Sequence, residues 1–198
     1  MTAIQLSDEE LASKATAGSQ TSFEELVYRY SPRLFHFLRH KVNTDQDIED
    51  LIQETFLKAF RNIDRYDPDW KFSTWLYTIA VRLSISDYRS KKAKDPSFVP
   101  IPTSPEPEEI VIQKEESQNI WILARTLKKE QYEALWLRYA EDMSIKEIAK
   151  VMKKTQIYTR VLLHRARLNL AKRFSQPEPV YSENTAGTVP VKHKFSFL

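Results

Sequence analysis

The sequence contains no cysteine and only two glycines among its 198 residues. Without cysteine the chain can form neither a disulfide framework nor a cysteine-based zinc site, as is common in proteins of reducing compartments. A glycine-rich phosphate loop is excluded as well, because such loops need several glycines at fixed spacing. Scarce glycine also disfavours sheets with tight hairpins, whereas Leu, Lys, Glu and Arg are abundant. The composition therefore predicts an all-α protein.

Long apolar runs and targeting patterns are also missing. No run approaches the roughly 18 apolar residues that a membrane-spanning helix needs. The first ten residues lack the basic-then-apolar pattern of a signal peptide. We therefore expect a cytoplasmic protein.

The sequence offers no recognisable catalytic or metal-binding pattern. No nucleophile–base pair and no metal motif is found. His36 and His40 have the i, i+4 spacing of helical metal ligands, but no third ligand accompanies them at motif spacing. We expect this pair to belong to an ordinary helix face. The sequence thus predicts no enzyme activity, no metal site and no cofactor.

Charge is distributed unevenly along the chain, although the formal net charge is only +3. Residues 95–119 hold six acids and one base, whereas residues 120–174 hold thirteen bases and five acids. A separately basic half indicates a polyanionic partner for that half.

Five prolines lie within twelve residues in the middle of the chain, at Pro96, Pro100, Pro102, Pro105 and Pro107. Such a run forms neither helix nor central strand, so it predicts an extended linker between two domains. We expect a first domain over 1–92, a linker over 93–118, a second domain over 119–174 and a disordered tail over 175–198.

Two amphipathic helices joined by an aromatic and charged loop dominate the first domain, over residues 47–89. Their apolar residues recur at the three/four spacing of a core-facing stripe, and Pro68 in the loop ends any preceding helix. Helices over 6–14 and 23–42 precede them, and Pro32 predicts a kink or a boundary in the second of these.

The second domain has the layout of a helix-turn-helix. Ser144 caps a short helix that ends at Met152, a three-residue turn follows, and a longer basic helix runs from about 156 to 173. In a helix-turn-helix the second helix enters the major groove of DNA.

Several stretches also resemble a known family. DLIQETFL over Asp50–Leu57 and FSTWLYTIA over Phe72–Ala80 resemble conserved region 2 of bacterial sigma-70-family factors, above all their extracytoplasmic-function (ECF) group. SIKEIA over Ser144–Ala149 and HRAR over His164–Arg167 resemble region 4 of the same family. The resemblance implies a region 2-like domain, a region 4-like domain and a sigma factor that directs core RNA polymerase to promoter DNA. It also allows an anti-sigma factor as a partner, and it implies that the acidic linker passes through polymerase channels.

The resemblance assigns two tasks to the first domain. An acidic helix face docks on core polymerase, where carboxylates suit an Arg-rich partner; its residues are Asp50, Gln53 and Glu54. The aromatic loop and the next helix capture unpaired bases of the −10 element and help to melt DNA; their residues are Trp70, Lys71, Ser73, Thr74, Tyr77, Arg82 and Arg89. Many family members have Asn where this chain has Arg82, and Arg prefers phosphate or guanine.

The same resemblance places the basic helix on the −35 element, with Arg160, His164, Arg165 and Arg167 as contact residues. Val161 and Leu162 stand where family members usually carry polar contact residues. This departure leaves open a sigma-like regulatory interaction protein with weak or absent −35 recognition. A helix-turn-helix repressor, which would bind duplex DNA without polymerase, is a second alternative.

Overall fold

The computed structural model describes residues 6–42, 44–97 and 115–175, and this part of the chain contains eight α-helices and no strand. The all-α prediction is confirmed. We call residues 6–97 the first half and residues 115–175 the second half. The helices are α1 (Asp8–Thr16), α2 (Gln20–Leu38), α3 (Asp45–Arg61), α4 (Phe72–Lys94), α5 (Glu115–Arg125), α6 (Lys129–Tyr139), α7 (Ile145–Met152) and α8 (Gln156–Ser175), with a 3-10 turn at Ile63–Arg65.

The four helices of the first half pack α1 on α2, α2 on α3 and α3 on α4. Their entry points follow from local capping. Ser7 and Glu10 form a capping box at α1, and the Thr44 hydroxyl accepts a hydrogen bond from the Asp47 amide at the start of α3. Pro32 lies inside α2, which continues on both sides of it. The boundary alternative predicted at Pro32 is therefore wrong.

The second half packs α8 against α6 and α7. Ser144 and Glu147 form a capping box at the start of α7, as the cap at Ser144 predicted. The turn after α7 places Lys153 in the left-handed region, at φ 52°. This turn redirects the chain into α8 and completes the helix-turn-helix.

The predicted linker and tail fall largely outside the described residues, which exclude 98–114 and 176–198. Helix α4 extends to Lys94 and α5 begins at Glu115, so helical structure enters the predicted linker from both ends. The proline run begins only at Pro96, and the lysines before it are compatible with a helix.

The two halves lie against each other, principally through α4 and α7. None of the helices in the described part of the chain combines the length and apolar character that crossing a bilayer requires.

Candidate functional site

The acidic outer face of α3 is accessible. Asp50 and Gln53 are exposed, and Glu54 is half-buried beside Lys58, with their Nζ and Oε1 atoms 3.5 Å apart. The opposite face of α3 is buried in the core through Ile48, Leu51, Ile52, Thr55, Phe56 and Ala59. The structure therefore brings the three residues predicted to dock on polymerase together on one solvent-facing surface.

A groove of about 410 Å³ lies between α2 and α3 next to this acidic face. Its lining residues are Ser31, Pro32, Phe35, His36, Glu49, Ile52 and Gln53. Its floor is mostly apolar and its rim carries the acidic face, an arrangement that suits a helix with apolar and basic side chains.

The residues predicted to bind the −10 element do not share one environment. Lys71, Arg82 and Arg89 are exposed, whereas Ser73, Thr74 and Tyr77 are buried and Trp70 is half-buried. Phe72 packs in the core against Tyr30 and Tyr66. The second half covers much of the predicted single-strand site.

Trp70 is covered by two lysines of α7. The Nζ atom of Lys150 lies 3.3 Å from the centroid of the indole ring, and that of Lys146 lies 4.8 Å from it. These cation–π contacts occupy a ring face that a nucleobase would need for stacking. The same lysines would attract a phosphate backbone if the halves separated.

Tyr77 is held in a buried polar cluster that joins the halves. Its hydroxyl donates to Glu141 Oε1 at 2.7 Å and accepts from Trp136 Nε1 at 3.3 Å. Arg33 makes a two-pronged contact with the same carboxylate, with Nη2 2.7 Å from Oε2 and Nε 3.1 Å from Oε1. Burial raises the pKa of the Glu141 carboxyl, and the Arg33 charge offsets part of that rise. Burial likewise raises the pKa of Tyr77 well above its usual value.

Thr74 makes a second connection between the halves. Its hydroxyl donates to Glu147 Oε1 at 2.9 Å, while Glu147 Oε2 accepts from the Ser144 amide in the capping box of α7. Burial raises the pKa of Glu147, but the hydrogen bonds from Ser144 and Thr74 outweigh it, so the pKa lies below its usual value. Lys71 adds another contact between the halves, because its Nζ donates to the Asp142 carbonyl oxygen at 2.9 Å.

A third connection joins the end of α2 to α6. Lys41 and Glu133 form an ion pair of 2.6 Å with both side chains almost fully buried. The His40 ring lies 4.5 Å from the Tyr132 ring, and burial lowers the pKa of His40 to about 4. The Tyr132 hydroxyl also donates to the His36 carbonyl at 3.2 Å.

The predicted −35 residues lie on the solvent side of α8. Arg160, His164, Arg165 and Arg167 are all exposed. Leu162 is only 7% exposed and belongs to the core with Leu163 and Ala166. The expectation that Leu162 occupies a contact position is therefore wrong, and only Val161 of that pair faces solvent.

Arg138 on α6 is a functional candidate that the sequence did not single out. It lines a cleft of about 460 Å³ together with Arg160, Arg167 and the start of α7. The cleft thus combines three guanidinium groups with a helix N-terminus. Both kinds of group bind phosphate, so the cleft could hold a phosphate group. Residue 138 lies more than twenty positions from Arg160, so only the packing of α6 against α8 reveals the grouping.

No group of three or more His, Cys, Asp or Glu side chains that could hold a metal ion occurs within the described residues. His36 and His40 instead contact aromatic rings of α6, at 6.0 Å from Trp136 and 4.5 Å from Tyr132.

Two family models match this chain. The model of sigma-70 region 2 matches residues 26–94, and the model of sigma-70 region 4 matches residues 118–170. Together the two matches cover more than half of the chain.

Curated relatives agree with these matches. The chain is 29% identical over 173 residues to the ECF RNA polymerase sigma factor BldN of Streptomyces coelicolor, covering 82% of this chain and 64% of that protein. It is 28% identical over 168 residues to the ECF RNA polymerase sigma factor SigW of Bacillus subtilis, covering 78% of this chain and 90% of that protein. The chain therefore spans just under two thirds of the Streptomyces relative.

The chain belongs to the ECF group of the sigma-70 family.

A solved structure supports the fold of this ECF family member. The sigma factor RpoE of Bartonella quintana, in complex with the anti-sigma factor NepR, matches with a TM-score of 0.61 at 21% identity. The match covers 79% of this chain and 98% of that chain. In this ECF sigma-family chain, the region 2 match contains the acidic face and Trp70, and the region 4 match contains the exposed basic residues of α8.

Proposed function

We propose that this chain is a sigma factor. It binds core RNA polymerase, recognises −10 and −35 promoter elements and helps to melt the promoter DNA. Polymerase supplies the chemistry of RNA synthesis, so the chain needs no catalytic group. The observation that carries the proposal is the presence, in one ECF-family chain, of an exposed acidic docking face on α3 and a basic outer face on α8.

The docking step uses the acidic face of α3 and the groove beside it. Asp50 and Gln53 are exposed, and Glu54 retains a solvent-facing carboxylate. A polymerase helix with arginines along one edge would pair with these groups and bury its apolar side chains in the groove between α2 and α3. Charge pairing across the rim would also accelerate association.

The −10 step requires the two halves to separate. Thr74 and Tyr77 are hydrogen-bonded to Glu147 and Glu141, and Lys150 covers the Trp70 ring. After separation Trp70 can stack on an unpaired base, an interaction that contributes about 1–3 kcal/mol per base. Lys71, Arg82 and Arg89 are already exposed and supply phosphate contacts.

The −35 step uses the second half in its present form. Arg160, His164, Arg165 and Arg167 are exposed on α8 while the halves are in contact. Duplex binding therefore needs no opening of the molecule. An anti-sigma factor is a further partner that we propose, and the anti-sigma complex of the Bartonella structure motivates it.

The test is the affinity of the purified chain for bacterial core polymerase, measured with Asp50→Arg. We expect a loss of about tenfold or more, because the substitution places a like charge against the basic partner surface. Asp64→Arg makes the same charge change on an exposed residue of the 3-10 turn that follows α3, and this variant should bind as the wild type does.

Two outcomes would contradict the proposal. Specific duplex binding by the free chain with no affinity for core polymerase would favour a helix-turn-helix repressor. Tight binding to core polymerase without new transcription start sites would favour a regulatory interaction protein.

A further inference from the structure

An apolar stripe runs along the solvent side of α8. Ile157 is 73% exposed, Val161 is 42% exposed and Leu168 is 54% exposed. The buried residues of α8 are Thr159, Leu162, Leu163 and Ala166, so the stripe lies opposite the core. Ile157 and Val161, one turn apart, do not belong to the hydrophobic core of the described residues.

Basic residues border this stripe on both sides. Arg160 and Arg167 line the cleft with Arg138 on one side. Arg165 follows Val161 by four positions, which places it at the other edge of the stripe. The sequence of α8 contains five Lys and Arg and no Asp or Glu. The outer face of the helix therefore combines an apolar strip with two basic edges, and His164 lies between Val161 and Leu168 on the same face.

This combination fits the major groove of duplex DNA better than a protein groove. The major groove is bordered by a phosphate backbone on each side, which matches the basic edges of α8. Its floor is apolar only at thymine, whose 5-methyl group projects into the major groove. A protein partner for this face would need acids on both sides of an apolar strip.

We propose that Ile157 and Val161 contact thymine methyl groups and so determine the base preference of the −35 element. The two residues are four positions apart, about 6 Å along the helix axis, which spans roughly two base-pair steps. Leu168 lies about 16 Å beyond Ile157, outside a groove about 12 Å wide, so it takes no part. The inference rests on the proposed sigma function and names the sequence class that this function selects.

The experiment is run-off transcription by core polymerase and the full-length chain. A template library randomised across the −35 region is transcribed first, and the productive templates are sequenced. We expect thymines at adjacent positions among them. Those thymines are then replaced one at a time by deoxyuridine, which pairs identically but lacks the methyl group. Each contacted methyl should be worth about a fourfold change in initiation at limiting holoenzyme.

Variants of the chain identify the contacting side chains. Ile157→Ser and Val161→Ser remove the methyl groups of the side chain, so they should lower initiation on thymine templates and lose the difference between thymine and deoxyuridine at one position each. Leu168→Ala, a change on the same stripe, should retain the full difference. Both contact residues are exposed, so thermal unfolding of these variants should match that of the wild type.

Several results would overturn the inference. Equal initiation on thymine and deoxyuridine templates by the wild type would do so while leaving the sigma function intact. Variants that lose activity equally on both templates would also overturn the inference, because they would indicate a protein partner for the stripe. Absence of any chain-dependent transcript would instead refute the proposed function itself.

Discussion

Glu141 connects the two halves through its buried carboxylate, which accepts hydrogen bonds from both Arg33 and Tyr77. A buried charge is costly unless it is paired, so loss of either donor would destabilise the contact between the two halves. The same arrangement makes this contact reversible, since Arg33 remains about one third exposed and can turn to solvent.

His40 makes the contact between the halves sensitive to pH. Burial against Tyr132 lowers the pKa of His40 to about 4, and the nearby Lys129, Lys41 and Arg125 favour the neutral form, while Glu133 opposes them. The unfolded chain has a pKa of about 6.5 at this residue. The folded form therefore binds fewer protons, and stability falls as the pH drops from about 6.5 towards 4.

Urea unfolding at about pH 7 and about pH 5.5 tests this effect. The wild type should lose about 1 kcal/mol over this interval, and His40→Gln should lose measurably less. The raised pKa of the Glu141 carboxyl, caused by its burial, acts with the opposite sign. Identical losses in both proteins would exclude His40 as the source.

At the scale of elements, the turn between α7 and α8 carries backbone strain. Lys153 adopts φ 52° and ψ 46°, a left-handed conformation that is unfavourable for a residue with a Cβ atom. Lys153→Gly should raise the free energy of unfolding by about 0.5–1 kcal/mol. The relief of backbone strain stabilises the folded chain, and the greater conformational entropy of glycine in the unfolded chain offsets part of that gain.

The measurement is urea unfolding of Lys153→Gly beside Lys153→Ala. The alanine variant removes the same charged side chain but keeps the Cβ atom, so it should show no such gain. A glycine variant less stable than the alanine variant would contradict the strain argument.

The elements themselves were predictable because local signals agree. Ser144 marks the start of α7, and apolar spacing marks α3 and α4. The solvent exposure of individual residues was less predictable. Leu162 and Val161 are neighbours in sequence, yet one lies in the core and the other faces solvent. Their difference depends on the exact rotation of α8, which only packing against α6 and α7 sets.

At the scale of the whole molecule, the contact between the halves could not be predicted from sequence. Arg33 and Glu141 are 108 positions apart, and each alone looks like an ordinary surface charge. The cleft formed by Arg138 and Arg160 depends on tertiary packing in the same way. Of the residues predicted at the −10 site, those between Trp70 and Tyr77 share one loop and helix because they are adjacent in the chain, but the burial of Thr74 and Tyr77 against the second half was not predictable.

The closed arrangement predicts weak binding of single-stranded DNA by the free chain. Glu141→Gln keeps the shape of the side chain but removes its charge, so the open form should become more populated. We expect the affinity for a single-stranded −10 oligonucleotide to rise by about tenfold. This corresponds to a loss of about 1.4 kcal/mol in the stability of the closed form relative to the open form.

Fluorescence anisotropy with a labelled oligonucleotide measures this change. Glu24→Gln is the matched control, because it makes the same change at an exposed residue whose side chain contacts Gln20 within α2. Equal affinities for the wild type and Glu141→Gln would show that the contact between the halves does not limit access to Trp70.

Run-off transcription from chromosomal fragments, with core polymerase in the presence and absence of the purified chain, tests the central claim most directly. The account predicts discrete start sites that appear only when the chain is present and that weaken with Asp50→Arg. Identical transcripts with and without the chain would contradict it.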